Sequence, residues 1–137
     1  MRSHPYLRAY MAGITLPTMF LMIAMTLFTL GRYIYDVAAP VERIIVFPMA
    51  IVPNAWGVWN MLYVRLRSSR SIPIGLYGAL LPLLIAPLAL TLAALTHFPV
   101  PPFVLHAFPI GLPITMIVYY LVWKHIVGFF NGVLGVA

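Results

Sequence analysis

The residues best placed to do chemistry in this sequence are two amides in an otherwise apolar segment. Asn54 and Asn60, with Gly57 between them, fall within a sector of about 120° around an α-helix. An amide without a partner in hydrocarbon costs several kcal/mol, so these side chains must face protein or water. They predict either close packing between helices, which Gly57 permits, or the polar floor of a path for a substrate or ion. Trp56 lies too deep for an interfacial aromatic belt and is expected to line a cavity.

Threonines form a second polar feature, on the first apolar segment of the chain. Thr15, Thr18, Thr26 and Thr29 lie within about 80° of one another around a helix. Such a stripe faces a neighbouring helix or an aqueous path rather than lipid. Packing is the simpler interpretation, because a threonine hydroxyl can bond the carbonyl four residues earlier and then needs no other partner. The path hypothesis uses Thr15 and Thr18 together with the amides.

The acidic residues of the chain are Asp36 and Glu42, in a polar segment that also holds Arg32 and Arg43. Local ion pairs at the membrane surface explain them most simply. The alternative is an outer vestibule that binds cations, formed by Asp36, Glu42 and Arg32. Two carboxylates without a base or metal nearby make a poor catalytic pair, so no catalytic residue is predicted.

Histidines and cysteines give little sign of a metal or cofactor site. His97 and His106 lack the spacing of a zinc motif, and the chain has no cysteine. The sequence also lacks a phosphate-binding glycine loop. We therefore predict no resident metal and no other cofactor, and we expect that the chain is not an enzyme.

The elements that must carry these side chains are membrane helices. Charged residues make up only 7 % of the 137, and the mean hydropathy is +1.03, whereas a soluble domain has about 25 % charged residues. A span needs about 20 apolar residues. The charges divide the chain into four such spans, at residues 10–31, 44–64, 72–95 and 103–123, followed by an interfacial tail at 125–137. The predicted fold class is an all-α membrane protein, a single domain of four transmembrane helices kinked by interior prolines.

The basic residues predict the orientation of these spans. Most of them lie near the N-terminus, between the second and third predicted spans, and at the end of the fourth, which places them on one side of the membrane. The positive-inside rule then gives an N-in, C-in topology, and we expect the cytoplasmic membrane of a prokaryote. The net charge of +6 reflects topology and contact with anionic lipid, so no nucleic-acid partner is predicted.

The two halves of the chain also resemble each other. A shift of 65 residues places Gly13 and Pro17 on Gly78 and Pro82. This match predicts a tandem repeat of two helical hairpins, and shared apolar composition is the alternative explanation.

Three classes of function are compatible with these features. The first is an oligomeric transporter or channel subunit for a small solute or ion, whose path is lined by the amides, aromatics and threonines. The second is a non-catalytic accessory or assembly subunit of a larger membrane complex, because packing can account for every polar group within the spans. The third, a lipid-directed enzyme or binding protein, would act at the outer face through Asp36, Glu42 and the histidines. Membrane lipid and further membrane subunits, identical or different, are the expected partners.

Overall fold

The computed structural model describes residues 4–38, 41–67, 69, 71–95, 97, 100 and 102–136, and all regular structure within them is helical. The first half of the chain comprises α1 (Pro5–Tyr35), α2 (Val41–Ile44), a π-helical stretch (Ile45–Ala50) and α3 (Ile51–Leu66). The second half comprises α4 (Ile74–Ala79), α5 (Leu81–Leu95), α6 (Pro102–Val122), a second π-helical stretch (Trp123–Val127) and α7 (Gly128–Val133). The chain is therefore all-α in the part that is described.

Several helices begin at a proline or within one turn of it. Pro5 and Pro102 are the first residues of α1 and α6, Pro53 lies in the first turn of α3, and Pro82 lies in the first turn of α5. Proline lacks an amide hydrogen, and the first-turn amides of a helix have no partner within that helix. Pro5 and Pro102 therefore cost no hydrogen bond within their own helices, whereas Pro53 follows the π-helical stretch Ile45–Ala50 without a break. Pro17 lies inside α1, where it removes one.

Three helical segments are long and apolar enough to cross a membrane, namely Pro5–Tyr35, Ile74–Leu95 and Pro102–Val133. They contain the first and fourth predicted spans and all of the third except its first two residues. The second predicted span falls in α2, the π-helical stretch and α3, and its α-helical part at Ile51–Leu66 has only 16 residues. Pro48 lies within that π-helical stretch, where its missing amide hydrogen prevents a regular α-helical bond.

The closely packed core lies at one end of the bundle and is formed by the first half of α1, α3, α4, the start of α5 and the chain from Trp123 onward. Its largest fully buried side chains are Trp123, Leu81, Val127 and Asn60. Beyond Pro17, α1 has no buried residue among those described, and α6 has none. The other end presents large apolar side chains to its surroundings, among them Phe20, Ile23, Phe103 and Ile110. Lipid is the solvent in which such exposure is favourable.

Candidate functional site

The predicted site centres on the place where α1 and α3 cross. A Cβ atom added at Gly13 would lie 2.6 Å from the carbonyl oxygen of Trp56, and one added at Gly57 would lie 2.5 Å from the ring of Tyr10. Both distances are shorter than van der Waals contact. The two glycines therefore allow the backbones to approach closely, which is the packing that small residues provide in membrane proteins.

Asn54 lies beside this crossing, and each polar atom of its amide makes one hydrogen bond within the hairpin. The hydroxyl of Tyr10 donates to Asn54 Oδ1, and Asn54 Nδ2 donates to the carbonyl of Ala50 at 2.6 Å. Tyr10 reaches Asn54 because its ring passes over Gly57, where a side chain would block it. Asn54 is nevertheless exposed on the surface of the chain, so this polar pair faces whatever surrounds the helices.

Asn60 lies at the centre of a buried amide pair. Its Nδ2 donates to Asn131 Oδ1 at 2.8 Å and to the carbonyl of Ala9 at 2.7 Å, while Asn131 Nδ2 donates to Asn60 Oδ1 at 3.1 Å. Asn60 is fully buried, and Asn131 is 2 % exposed. The reciprocal bonds join α3 and α7, and the bond to Ala9 adds α1. Asn131 is the only asparagine in the sequence besides Asn54 and Asn60, and the predicted site did not include it. The rarity of asparagine in this sequence was the signal that could have identified it.

Aromatic side chains fill the space next to the amide pair. The ring of Trp56 lies 4.9 Å from that of Tyr119 and 5.5 Å from that of Trp123, measured between centroids. Trp59 packs on Tyr77 at 4.9 Å and donates its N–H to the Tyr77 carbonyl at 3.0 Å. Trp56 is 5 % exposed, and its buried N–H makes no hydrogen bond with the described residues.

Three of the four stripe threonines bond their own helix. The hydroxyls of Thr15, Thr26 and Thr29 donate to the carbonyls of residues 11, 22 and 25 at 2.7, 2.9 and 2.8 Å. This is the local bond that removes the need for a partner on another helix. Thr18 is half-buried on the same helix.

Two of the three residues of the predicted outer vestibule lie together, namely Arg32 and Glu42. Arg32 Nη1 lies 2.9 Å from Glu42 Oε1, and both side chains are exposed. The backbone amide of Glu42 and the Arg32 guanidinium hold the pKa of the Glu42 carboxyl below its ordinary value. Asp36 ends α1 in a left-handed conformation, with φ of 51°. The side chain of Arg43, the other basic residue predicted here, lies outside the described part of the chain.

Crevices occur between the described helices, and three of them have volumes of about 380, 500 and 360 Å³. They lie between α5 and α6, between the ends of α1 and α3, and between α1 and the first π-helical stretch. None of the three is lined by Asn54, Trp56 or Asn60. No group of three potential metal ligands occurs among the described residues.

No protein-family model, curated protein or solved structure matches this chain. The site must therefore be interpreted from its own contacts. Those contacts divide it into a buried part, where Asn60 and Trp56 hold helices together, and an exposed part, where Tyr10 and Asn54 form a polar pair on the surface.

Proposed function

We propose that this chain is a non-catalytic subunit of a membrane assembly. The observation that carries the proposal is the reciprocal pairing of Asn60 with Asn131. These are the buried polar side chains of the described residues, and the pairing uses both of them for packing. A substrate or ion that passed through the same space would have to break these bonds. The aromatic contacts of Trp56 fill the adjacent volume and support the same conclusion.

The exposed Tyr10–Asn54 pair supports contact with a further membrane helix. In lipid, a surface amide whose hydrogen-bonding capacity is incomplete is unfavourable. Asn54 Oδ1 can accept a second hydrogen bond, and its Nδ2 can donate a second. A polar side chain on a neighbouring subunit would satisfy both. The proposed neighbour is another membrane protein chain, either a second copy or a different subunit.

The test is purification from native membranes in a mild detergent, followed by measurement of the mass of the complex. We expect a stoichiometric assembly that Asn54→Leu weakens. Thr15→Val is the matched control, because the Thr15 hydroxyl bonds only its own helix in the described contacts, and this variant should assemble normally. A stable monomer from native membranes would contradict the proposal, and so would equal assembly of the natural chain and the two variants.

A second candidate function is a subunit of an oligomeric transporter or channel for a small solute or ion. The exposure of Asn54 favours it, because a path between subunits would then be lined by Asn54, Tyr10 and the α1 threonines rather than by the buried Asn60. This function predicts that protein in liposomes carries solutes or ions, and that Asn54→Leu abolishes flux while the oligomer persists. Absence of flux in well-sealed liposomes, tested with several ions and small solutes, would count against it.

We also propose the finer architecture of four spans, N-in and C-in, with kinks at the interior prolines, in the cytoplasmic membrane of a prokaryote. Because the chain has no cysteine, single cysteines can report on its orientation. Asp36→Cys and Ser69→Cys flank the second predicted span, and both positions are exposed. An impermeant maleimide should label position 36 but not position 69 in intact cells. Equal labelling of the two would show that residues 44–64 do not cross.

Two similar crossings support the proposed repeat of helical hairpins. Gly13 contacts the backbone of Trp56 where α1 meets α3, and Gly78 contacts the side chain of Trp123 where α4 meets the end of α6. The two glycines are the residues that coincide when the sequence is shifted by 65 positions. The tryptophans that they contact are 67 positions apart and do not coincide at that shift, so the support comes from the equivalent glycines.

A further inference from the structure

A groove on the surface of the first hairpin combines an apolar wall with one basic side chain. It has a volume of about 500 Å³ and is lined by Tyr6 of α1 and by Val58, Met61, Leu62 and Arg65 of α3. The α3 residues are spaced by three, four and seven positions, so they form one stripe along the helix. This groove contains none of the residues assigned to the candidate functional site.

The groove is polarised along the helix axis. Arg65 lies next to the last residue of α3 and is exposed. Val58 lies seven residues earlier, which corresponds to a distance of about 10 Å along the helix. Val58 and Leu62 are 57 % and 37 % exposed, so the deeper part of the groove presents apolar surface. A phospholipid has the same arrangement, with its phosphate at the membrane surface and its acyl chains toward the centre.

The charges around the groove favour an anionic occupant. Arg67 follows Arg65 in the turn after α3. Both acidic residues of the chain belong to the segment after α1, and Asp36 is 30 residues from Tyr6, or about 45 Å along a helix. Neither of these two acidic side chains is therefore close enough to neutralise the basic end of the groove, because separations beyond about 10 Å are largely screened.

We infer that this groove binds one anionic phospholipid, with the phosphate on Arg65 and an acyl chain along Val58 and Leu62. A guanidinium has five N–H donors in a planar fork that matches two phosphate oxygens. It can bind a phosphate in addition to the interaction that Arg65 makes within its own chain. The apolar wall holds the acyl chain, which distinguishes a lipid from a free phosphate ion.

The test is native mass spectrometry of the purified full chain in detergent, titrated with dioleoylphosphatidylglycerol or with dioleoylphosphatidylcholine, which has the same acyl chains. We expect one phosphatidylglycerol per chain and weaker binding of phosphatidylcholine. Arg65→Gln should weaken phosphatidylglycerol binding about tenfold, as expected for loss of a charged hydrogen bond. Arg67→Gln is the matched control, because it removes the same charge from a position that does not line the groove, and it should weaken binding less than Arg65→Gln does.

A second variant tests the apolar wall independently of charge, so the inference can still be tested if Arg65→Gln does not fold. Val58→Trp should fill the deeper part of the groove and weaken binding of phosphatidylglycerol severalfold, while inorganic phosphate should not compete at millimolar concentration. The inference would be overturned if the two arginine variants behaved alike, if both lipids bound equally, or if inorganic phosphate displaced the lipid. It would also be overturned if Val58→Trp left lipid binding unchanged or dissociated an oligomer instead.

Discussion

Replacement of Asn131 by leucine tests whether the buried amide pair holds the bundle together. Leucine is similar in size to asparagine and cannot form a hydrogen bond, so the variant removes both bonds between Asn131 and Asn60. Asn60 keeps its bond to the Ala9 carbonyl, but its Oδ1 atom is left without this partner in a site that is fully buried. The expected effect is a loss of stability without a change of fold.

The magnitude can be worked from the two bonds. A hydrogen bond between membrane helices contributes about 0.6 kcal/mol on average and at most about 1.7 kcal/mol. Two such bonds give about 1–3 kcal/mol for Asn131→Leu. The double variant with Asn60→Leu should cost less than the sum of the single variants, because an apolar pair leaves no unpaired amide behind.

The assay is reversible unfolding in mixed micelles, followed by tryptophan fluorescence and circular dichroism. Asn54→Leu is the matched control, since it replaces an exposed asparagine on the same helix as Asn60 and removes one hydrogen bond between helices rather than two, so it should cost less than Asn131→Leu. The reasoning would be refuted if Asn131→Leu were as stable as the natural chain. It would also be refuted if the double variant lost as much stability as both single variants added together.

The remaining predictions concern two glycines and one ion pair. Gly78→Ala should lose about 1–3 kcal/mol of stability in the same unfolding assay, because the added Cβ would overlap the Trp123 side chain. Gly111→Ala should be neutral or gain at most about 1 kcal/mol, since no atom lies within 4 Å of its added Cβ and alanine favours a helix; an equal loss in both variants would contradict this packing. Because the folded pKa of Glu42 is lowered, its contribution to stability is present at neutral pH and is lost as the pH falls through that lowered pKa. Arg32→Gln should raise the pKa part of the way to its ordinary value in a carbon-13 NMR titration of this sole glutamate; an unchanged titration would exclude the ion pair.

Two features of the candidate site followed directly from residue type and spacing. The pattern of Asn54, Gly57 and Asn60 indicated a polar face that must meet protein or water, and these residues lie at or beside the contact of α3 with α1. The proximity of Arg32 and Glu42 followed from their short separation and opposite charge. Helical geometry limits what can be adjacent among Asn54, Gly57 and Asn60, and the short segment between α1 and α2 keeps Arg32 and Glu42 close.

The partners of these residues could not be predicted from spacing. Tyr10 reaches Asn54 across 44 positions, and Asn131 reaches Asn60 across 71. Such contacts depend on where two helices cross and how each is rotated, and the glycines at the crossing determine both. The π-helical stretch at Trp123–Val127 changes the rotation of the chain just before Asn131. A regular α-helix extended through this segment would therefore predict the wrong direction for the Asn131 side chain around the helix axis.

The sequence by itself determined that the elements are helices long and apolar enough to cross a membrane, and it predicted lipid as their surroundings. Long apolar runs with charges only between them favour helices in lipid, because every backbone polar group must be satisfied within the segment. Only the tertiary structure decided which polar groups are exposed and which are paired. Asn54 and Asn60 are chemically identical and six residues apart, yet one lies on the surface and the other is buried against Asn131. The physical reason is that composition and periodicity are local, whereas burial depends on neighbours that the chain brings from distant positions.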